Sequence, residues 1–209
     1  MRLFFLPFIL VQLVHSQPIQ WNQFRGPNGD GDAGKANLPV QFSETENLTW
    51  KTPMPGKAWS SPVVKDGKVW ITNAEEDGFK MWAIQLDWKT GKLLKKVLVF
   101  ENKEPQFCHP MNSYATPTPV IAGNQVFVHF GSHGTAALDA NTGRKIWERR
   151  DLKCDHYRGA AASPIPHLDT LIIHFDGHDL QFIVCLNQKT GKTIWKKERA
   201  YDFKTDNGD

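Results

Sequence analysis

The stretch Ala137-Leu138-Asp139-Ala140-Asn141-Thr142-Gly143-Arg144-Lys145-Ile146-Trp147 decides the fold, because two other parts of the chain repeat it. Residues 82–94 and 185–195 align with it on a shared glycine, which follows a Thr and precedes a Lys or Arg. The aligned glycines are Gly91, Gly143 and Gly191, and they lie 52 and 48 residues apart. A repeat of this length indicates tandem supersecondary units that stack on one another.

Each unit contains the same series of features before its glycine. A Ser-Pro or Thr-Pro pair opens it, at Ser61-Pro62, Thr118-Pro119 and Ser163-Pro164. Short apolar runs of about 4–6 residues follow, separated by Gly, Asn and Asp, which predicts four antiparallel strands joined by hairpins. Four strands in 48–52 residues is the size of a propeller blade. The predicted fold class is therefore all-β, an incomplete β-propeller with blades 1, 2 and 3 at about 58–100, 113–150 and 160–198.

The composition agrees with an all-β globular protein. Of the 209 residues, 40% are hydrophobic and 22% charged, which excludes wholesale disorder. The presence of 8 Trp, 16 Gly and 13 Pro favours short strands and tight turns over long helices. The formal net charge of +3 is too small to indicate nucleic-acid binding, and no run of Lys and Arg supports it.

The N-terminus has the pattern of a secretory signal peptide. Arg2 supplies a positive charge, residues 3–14 are almost wholly apolar, and Val14-His15-Ser16 fits a peptidase site. The apolar stretch falls short of the roughly 20 residues that a membrane-spanning helix needs. We therefore predict a leader at 1–16, an exported (periplasmic or extracellular) mature protein with no membrane span, an N-terminal arm at 17–49 and a propeller region at 50–209.

The repeated stretch resembles the tryptophan-docking motif of the pyrroloquinoline-quinone (PQQ) type β-propeller family. That family includes quinoprotein alcohol dehydrogenases and the BamB-type outer-membrane assembly scaffold, and the resemblance covers about residues 50–200. In the family the Trp packs between neighbouring blades, over the Gly turn of the next blade. The resemblance therefore implies blade-docking roles for Asp139, Gly143, Trp147, Gly191 and Trp195. Blade 1 departs from the motif, because it has Gln85 at the Ala position and Lys95 at the Trp position.

The segment before blade 1 also resembles parts of the family. Residues 47–52, Asn-Leu-Thr-Trp-Lys-Thr, look like the N-terminal strand that completes the last blade and closes the ring. Residues 21–27 resemble the leading segment of secreted members. Rings in the family hold about seven or eight blades. Three units and one stray strand therefore suggest an N-terminal fragment of a longer ring.

Two loops that lead into blades carry the most polar sequences of the chain, residues 105–114 and 154–159. Such loops gather on one face of a propeller, so we expect them to form a ligand face. The candidate residues on it are His109, Asn112, Tyr114, Asp155, His156 and Arg158. The alternative is that these side chains only hydrogen-bond the loop backbone and the neighbouring blades.

Cys108 and Cys154 hold matching positions in these two loops. In an exported protein they suggest a disulfide, although two free thiols are the second interpretation. A metal site with His109, His156 and Asp155 is the third, but the spacing matches no zinc framework, so no metal is predicted. Cys185 is expected to be a buried thiol.

The sequence does not identify catalytic residues. The dehydrogenases of the family use two adjacent disulfide-bonded cysteines and a calcium ion beside PQQ. The three units contain no Cys-Cys pair and no recognisable calcium cage, so PQQ and calcium are implied by resemblance alone. The favoured hypothesis is an exported scaffold that binds a protein partner or small ligand on its loop face. One alternative is a PQQ-dependent alcohol or sugar dehydrogenase with further blades, and another is a glycan-binding module that stacks sugars on Trp59 and Tyr114.

Overall fold

The computed structural model describes residues 20–36 and 38–199. The described residues form β1 (Val63–Lys65), β2 (Lys68–Ala74), β3 (Lys80–Asp87), β4 (Leu93–Glu101), β5 (Val120–Ala122), β6 (Gln125–His129), β7 (Thr135–Asp139), β8 (Lys145–Arg149), β9 (Ile165–His167), β10 (Thr170–Asp176), β11 (Gln181–Asn187) and β12 (Thr193–Glu198). They pair antiparallel as β1-β2-β3-β4, β5-β6-β7-β8 and β9-β10-β11-β12. The prediction of three four-stranded antiparallel sheets is confirmed. The predicted leader at 1–16 lies outside the described residues.

Two of the three hydrophobic clusters of the described residues lie between blades, and the third lies between blade 1 and the segment that precedes it. One cluster joins blades 1 and 2 and includes Trp70, Phe100 and Phe130. A second joins blades 2 and 3 and includes Phe127 and Phe175. A sheet whose two faces are both apolar must bury both, so each blade requires a neighbour on either side.

The turn at each repeat glycine is held by one side-chain oxygen. In blade 2, Asp139 Oδ1 accepts hydrogen bonds from Asn141 N, Thr142 N and Thr142 Oγ1 at 3.0, 2.7 and 2.9 Å. Asp87 in blade 1 and Asn187 in blade 3 accept the equivalent bonds. The Asn187 amide oxygen suffices because the turn uses only an acceptor. Gly143 follows in the left-handed region at φ 77°, which favours glycine.

An indole ring covers that glycine at the contact between blades 2 and 3. A Cβ added to Gly191 would lie 2.6 Å from Trp147 Cε3, so the ring lies directly on the turn. Trp147 Nε1 donates a hydrogen bond to Gln188 O at 2.7 Å. Trp50 lies over Gly91 in the same way and donates to the Trp88 carbonyl at 2.9 Å.

The contact between blades 1 and 2 uses different residues in the same place. The side chains of Val97 and Lys95 lie over Gly143, where the other contacts have indole carbons. Gln85 Nε2 donates to Ala140 O at 3.0 Å, the carbonyl equivalent to that of Gln188. Gln85 pairs with Lys95 across the strands, as Ala137 pairs with Trp147. Lys95 and Val97 thus supply the apolar cover, and Gln85 supplies the N–H, that an indole provides at the other contacts.

The inner ends of the blades are joined by a hydrogen-bond relay. Ser61 N donates to Thr118 Oγ1 at 3.1 Å, and Thr118 N donates to Ser163 Oγ at 3.0 Å. These three residues are the Ser and Thr that precede proline at the opening of each unit. The inner strands β1, β5 and β9 are consecutive neighbours, as a propeller requires.

Residues 47–52, the predicted closing strand, pair with no sheet of the described chain, and their role in closing a ring stays a prediction. No strand is assigned to residues 47–52, although Trp50 makes the docking contact. A strand exists only where a neighbour receives its backbone hydrogen bonds, and no sheet of the described chain offers a free edge there. Trp195 is likewise 43% exposed, because no described turn follows blade 3 to receive its ring.

The two equivalent tryptophans provide a matched test of docking. Trp147→Ala removes an indole that covers Gly191, and we expect it to lower the free energy of unfolding by about 3 kcal/mol. Trp195→Ala removes an exposed ring of the same repeat position, and we expect a loss below about 1 kcal/mol. Urea denaturation followed by circular dichroism measures both. Equal losses would contradict the docking role of Trp147.

The repeat turns predict acid sensitivity. Hydrogen bonds from the Thr90 and Thr142 side chains and backbones hold the pKa values of Asp87 and Asp139 below their ordinary value. A depressed folded pKa stabilises the protein above the unfolded value, near pH 4, and this contribution disappears as the pH falls through the folded pKa.

The double variant Asp87→Asn, Asp139→Asn copies the turn of Asn187, which cannot titrate. We expect its urea midpoint to lie slightly below that of the wild type at pH 7, because a neutral amide accepts hydrogen bonds more weakly than a carboxylate, and to fall less steeply below about pH 4. Asp151 and Asp179 also have lowered pKa values and remain in the variant, so part of the slope persists. Identical slopes in the two proteins would show that these turns do not contribute.

Candidate functional site in the inter-blade loops

The loop between blades 1 and 2, residues 102–119, is anchored by Gln106. Its backbone N donates to His133 Nε2 at 3.1 Å, and its Nε2 donates to Cys154 O at 3.1 Å. Its carbonyl accepts the Tyr114 hydroxyl at 2.7 Å. Tyr114 itself lies against Gly78, so this predicted ligand residue is engaged in holding the loop.

The second inter-blade loop, residues 150–164, lies beside the first, as the sequence predicts. Arg158 O accepts from Asn112 Nδ2 at 2.8 Å and from His109 N at 3.4 Å. Asn112 Oδ1 also accepts from Ser113 N at 2.8 Å and from Thr116 Oγ1 at 2.6 Å. The polar atoms of Asn112 therefore hold the two loops together. The ligand role that the sequence assigns to Asn112 and Tyr114 stays a prediction.

The predicted Cys108–Cys154 disulfide is not formed, and all three cysteines are free thiols. Cys108 is half-buried and packs against Gly159, where an added Cβ would lie 2.8 Å from its sulfur. Cys154 is buried and points towards Ser132 and His156 instead. Although the loops adjoin, the two sulfurs face different neighbours.

Cys154 and His156 form a buried neutral pair. Cys154 Sγ lies 3.4 Å from His156 Nε2. Burial raises the pKa of Cys154 to about 11 and lowers the pKa of His156. Both shifts disfavour a thiolate–imidazolium pair, so the thiol lacks the activation that nucleophilic cysteines have.

Two further histidines lie in the same region: His129 is buried at the end of β6, and His133 is half-buried in the turn that follows. His129 Nδ1 lies 2.8 Å from Thr135 Oγ1, and burial lowers its pKa to about 3. His133 Nδ1 lies 3.1 Å from Phe130 O, and burial lowers its pKa to about 4. Both rings are neutral at physiological pH, and His133 holds the Gln106 backbone as an acceptor.

The residues proposed for a metal site do not converge. His109 Nδ1 accepts a bond from Met111 N within its own turn, and Asp155 Oδ2 lies 3.6 Å from His178 Nε2. Across residues 20–36 and 38–199, no group of three or more His, Cys, Asp and Glu side chains could hold a metal ion.

Large apolar side chains are exposed on the two anchored loops. Phe107, Met111 and Tyr157 are 66%, 82% and 59% exposed. The Arg158 side chain lies beside Tyr157, with its Cζ 5.6 Å from the centroid of the ring. We call these four residues the loop platform. Of these four residues, sequence reasoning named only Arg158, because it selected mainly polar side chains in the two loops. The signal it missed was the apolar residues that stand between the polar ones.

A separate cleft of about 680 Å³ lies at the inner edges of the blades. The N-terminal arm contributes Phe24 and Arg25 to it, and the segment before blade 1 contributes Trp59. Thr116 and residues 161–166 complete the wall. Trp59 is exposed in this inner-edge cleft. Tyr114, the other residue predicted to stack on sugars, lies elsewhere, against Gly78.

The lining of the inner-edge cleft does not fit a calcium–quinone site by itself. Calcium takes several oxygen ligands, carboxylates above all. The described residues that line the cleft include hydroxyls, amides and Arg25 but no Asp or Glu. No chemical step through PQQ is therefore derived for this part of the chain.

The different burial of the free thiols predicts the order in which they react with an alkylating reagent. At pH 8 we expect an alkylating reagent to modify Cys108 before Cys154, because Cys154 is 3% exposed and burial raises its pKa to about 11. Peptide mass mapping of partially alkylated protein reports the order. A Cys108–Cys154 peptide in a non-reducing digest would contradict the structure.

No curated protein matches the sequence. Among solved structures, the quinohemoprotein alcohol dehydrogenase ADHIIG of Pseudomonas putida is 19% identical, with a TM-score of 0.51 over 71% of this chain and 22% of that protein. A europium-containing methanol dehydrogenase is 15% identical, with a TM-score of 0.50 over 71% and 26%. BamB from Moraxella catarrhalis is 18% identical, with a TM-score of 0.47 over 71% and 39%.

The structural likeness to the two dehydrogenases shows a shared fold alone. This chain spans 22% to 39% of the lengths of the three proteins. Within the described ranges, no helix has the length and apolar character needed to cross a membrane. The profile of the family described as outer membrane protein assembly factor BamB matches residues 34–150 and 95–209. The chain therefore belongs to this family of PQQ-like β-propellers.

Proposed function

We propose that this chain is the binding part of an exported scaffold protein that holds a protein partner on the loop platform. The observation that carries the proposal is the exposure of Phe107, Met111 and Tyr157 on loops that are themselves anchored. Aromatic residues, Met and Arg are the types enriched where proteins bind one another. Exposed apolar side chains on two loops that bond to each other indicate an interaction site.

The anchoring of the loops favours tight binding. Gln106 ties the first loop to Cys154 in the second, and Asn112 bonds to Arg158 O. Loops held before binding lose little conformational entropy when a partner arrives. The buried polar residues of the loops and the exposed apolar ones thus have complementary roles: the first set positions the second.

The family supports a role in assembly, since its description is that of an outer membrane protein assembly factor. Residues 1–16 support export, because a single Arg precedes an apolar stretch of signal-peptide length. A partner for this chain would accordingly be an exported protein, met in the periplasm or outside the cell.

A site-specific crosslink tests the platform. A photoreactive amino acid at Met111 should crosslink one exported protein, and the same group at Leu93, exposed on β4, should not. The variant Phe107→Ser, Tyr157→Ser should weaken binding of the purified partner by about 2 kcal/mol or more. The matched control Leu94→Ser, Leu98→Ser changes exposed apolar residues of the outer strand and should bind as the wild type does.

Other outcomes would replace the proposal. Equal crosslinking from Met111 and Leu93 would exclude a specific platform. PQQ and calcium binding with reduction of an artificial dye by an alcohol would favour a dehydrogenase. Retention of the full chain in the cytoplasm, with residues 1–16 uncleaved, would overturn export.

A further inference from the structure

The inner-edge cleft exists because one blade cannot accept the N-terminal arm. In blade 1, Val64 exchanges two backbone hydrogen bonds of 2.8 Å with Trp21. In blade 2, Ile121 N donates to Asn22 O at 2.8 Å, and Asn22 Nδ2 returns a bond to Ile121 O at 3.2 Å. The register places Pro166 at the same position of β9 in blade 3. Proline has no N–H to donate, so the pairing stops there.

The arm then turns away from blade 3. Arg25 and Gly26 are both left-handed, with φ 63° and 79°, and Trp21 covers Gly26 so closely that an added Cβ would lie 2.7 Å from the indole. The space between the turned arm and residues 161–166 is the cleft of about 680 Å³. Both of its walls are fixed by backbone geometry, so the cleft is preformed.

The cleft has a distinct chemistry. Phe24 and Trp59 line it, and each is 49% exposed. Neutral polar residues also line the cleft, namely Gln23, Asn28, Ser61 and Thr116. Arg25 is the single charged residue among the described lining residues. Exposed rings with several neutral polar groups suit a ligand that has apolar faces and many hydroxyls, and the positive charge favours an anion.

A positively charged side chain lies near each of these two exposed rings. Arg25 Cζ lies 5.8 Å from the centroid of the Phe24 ring, and Lys57 Nζ lies 5.8 Å from the centroid of the Trp59 ring. A pyranose packs the C–H groups of one face on an aromatic ring, and a carboxylate on the same sugar would reach a cation at the ring. Of the two cations, Arg25 is the one that lines the cleft.

We propose that the inner-edge cleft binds an acidic oligosaccharide, a chain of uronic-acid residues, with Phe24 and Trp59 as stacking surfaces and Arg25 as the carboxylate partner. This inference goes beyond the proposed function, because the loop platform and the cleft share no residue. An extended peptide is a poorer match, since Pro166 denies a bound strand the N–H that blades 1 and 2 offer to the arm.

Calorimetric titration of the full mature chain tests the proposal with three probes. They are tetragalacturonate, the neutral cellotetraose and a tetraglutamate peptide of equal charge. We expect tetragalacturonate to bind, cellotetraose to bind at least about tenfold more weakly, and tetraglutamate not to bind. Quenching or enhancement of Trp fluorescence should accompany binding of tetragalacturonate, because Trp59 would become covered.

Variants assign the site. Trp59→Ala and Phe24→Ala should each weaken tetragalacturonate binding about tenfold. Arg25→Asn keeps a residue that tolerates the left-handed backbone and should reduce the preference for the acidic over the neutral sugar. Phe107→Ala, an exposed aromatic of the loop platform, is the matched control and should leave sugar binding unchanged. Equal urea midpoints verify that the variants fold.

Several results would overturn the proposal. One is that tetragalacturonate does not bind. Another is that tetraglutamate binds as tightly as tetragalacturonate or more tightly, and a third is that Trp59→Ala binds tetragalacturonate as well as the wild type does. Crosslinking from Met111 reports the platform separately. Loss of sugar binding in Trp59→Ala with normal crosslinking would therefore leave the proposed function intact while supporting the cleft.

Discussion

A four-stranded sheet with two apolar faces cannot bury both of them alone, and the whole structure follows from that constraint. Each blade is covered by its neighbour through a side chain laid on a glycine turn. Trp147 on Gly191 is the plainest case, with an indole N–H that also satisfies a backbone carbonyl. Because the contact needs a turn without a Cβ beneath the ring, glycine and tryptophan recur together at a fixed distance in the sequence.

The contact between blades 1 and 2 shows which part of this interaction is essential. Lys95 replaces the Trp, yet Gln85 opposite it supplies the hydrogen bond to the Ala140 carbonyl, while Val97 and the Lys95 methylenes cover Gly143. The requirements are apolar cover and one donor, and two residues can meet them as well as one. A motif that reads as broken in one strand is therefore completed by the neighbouring strand.

In both candidate sites, one set of groups fixes the backbone and another set of side chains remains exposed. In the inter-blade loops, buried polar atoms of Gln106 and Asn112 hold the backbone, which leaves Phe107, Met111 and Tyr157 facing solvent. At the inner edge, a missing N–H at Pro166 and a left-handed turn at Arg25 leave a gap beside the arm. Both sites lie where regular strand pairing ends. Elsewhere the backbone groups bond to neighbouring strands and the side chains cover one another, so neither is free to contact a ligand.

The sequence alone determined the three four-stranded units and their turns, since these depend on local periodicity and on a repeat visible in the chain. The docking position of Trp147 was implied by the family resemblance, and the structure places its ring on Gly191. The sequence also indicated that loops 105–114 and 154–159 adjoin, which the bond from Asn112 to Arg158 O confirms. Only the tertiary structure decided that Cys108 and Cys154 stay apart, that residues 47–52 form no strand, and that Phe24 and Trp59 line one cleft. These features depend on which way side chains point and on what lies across from them, and such contacts join residues far apart in the chain.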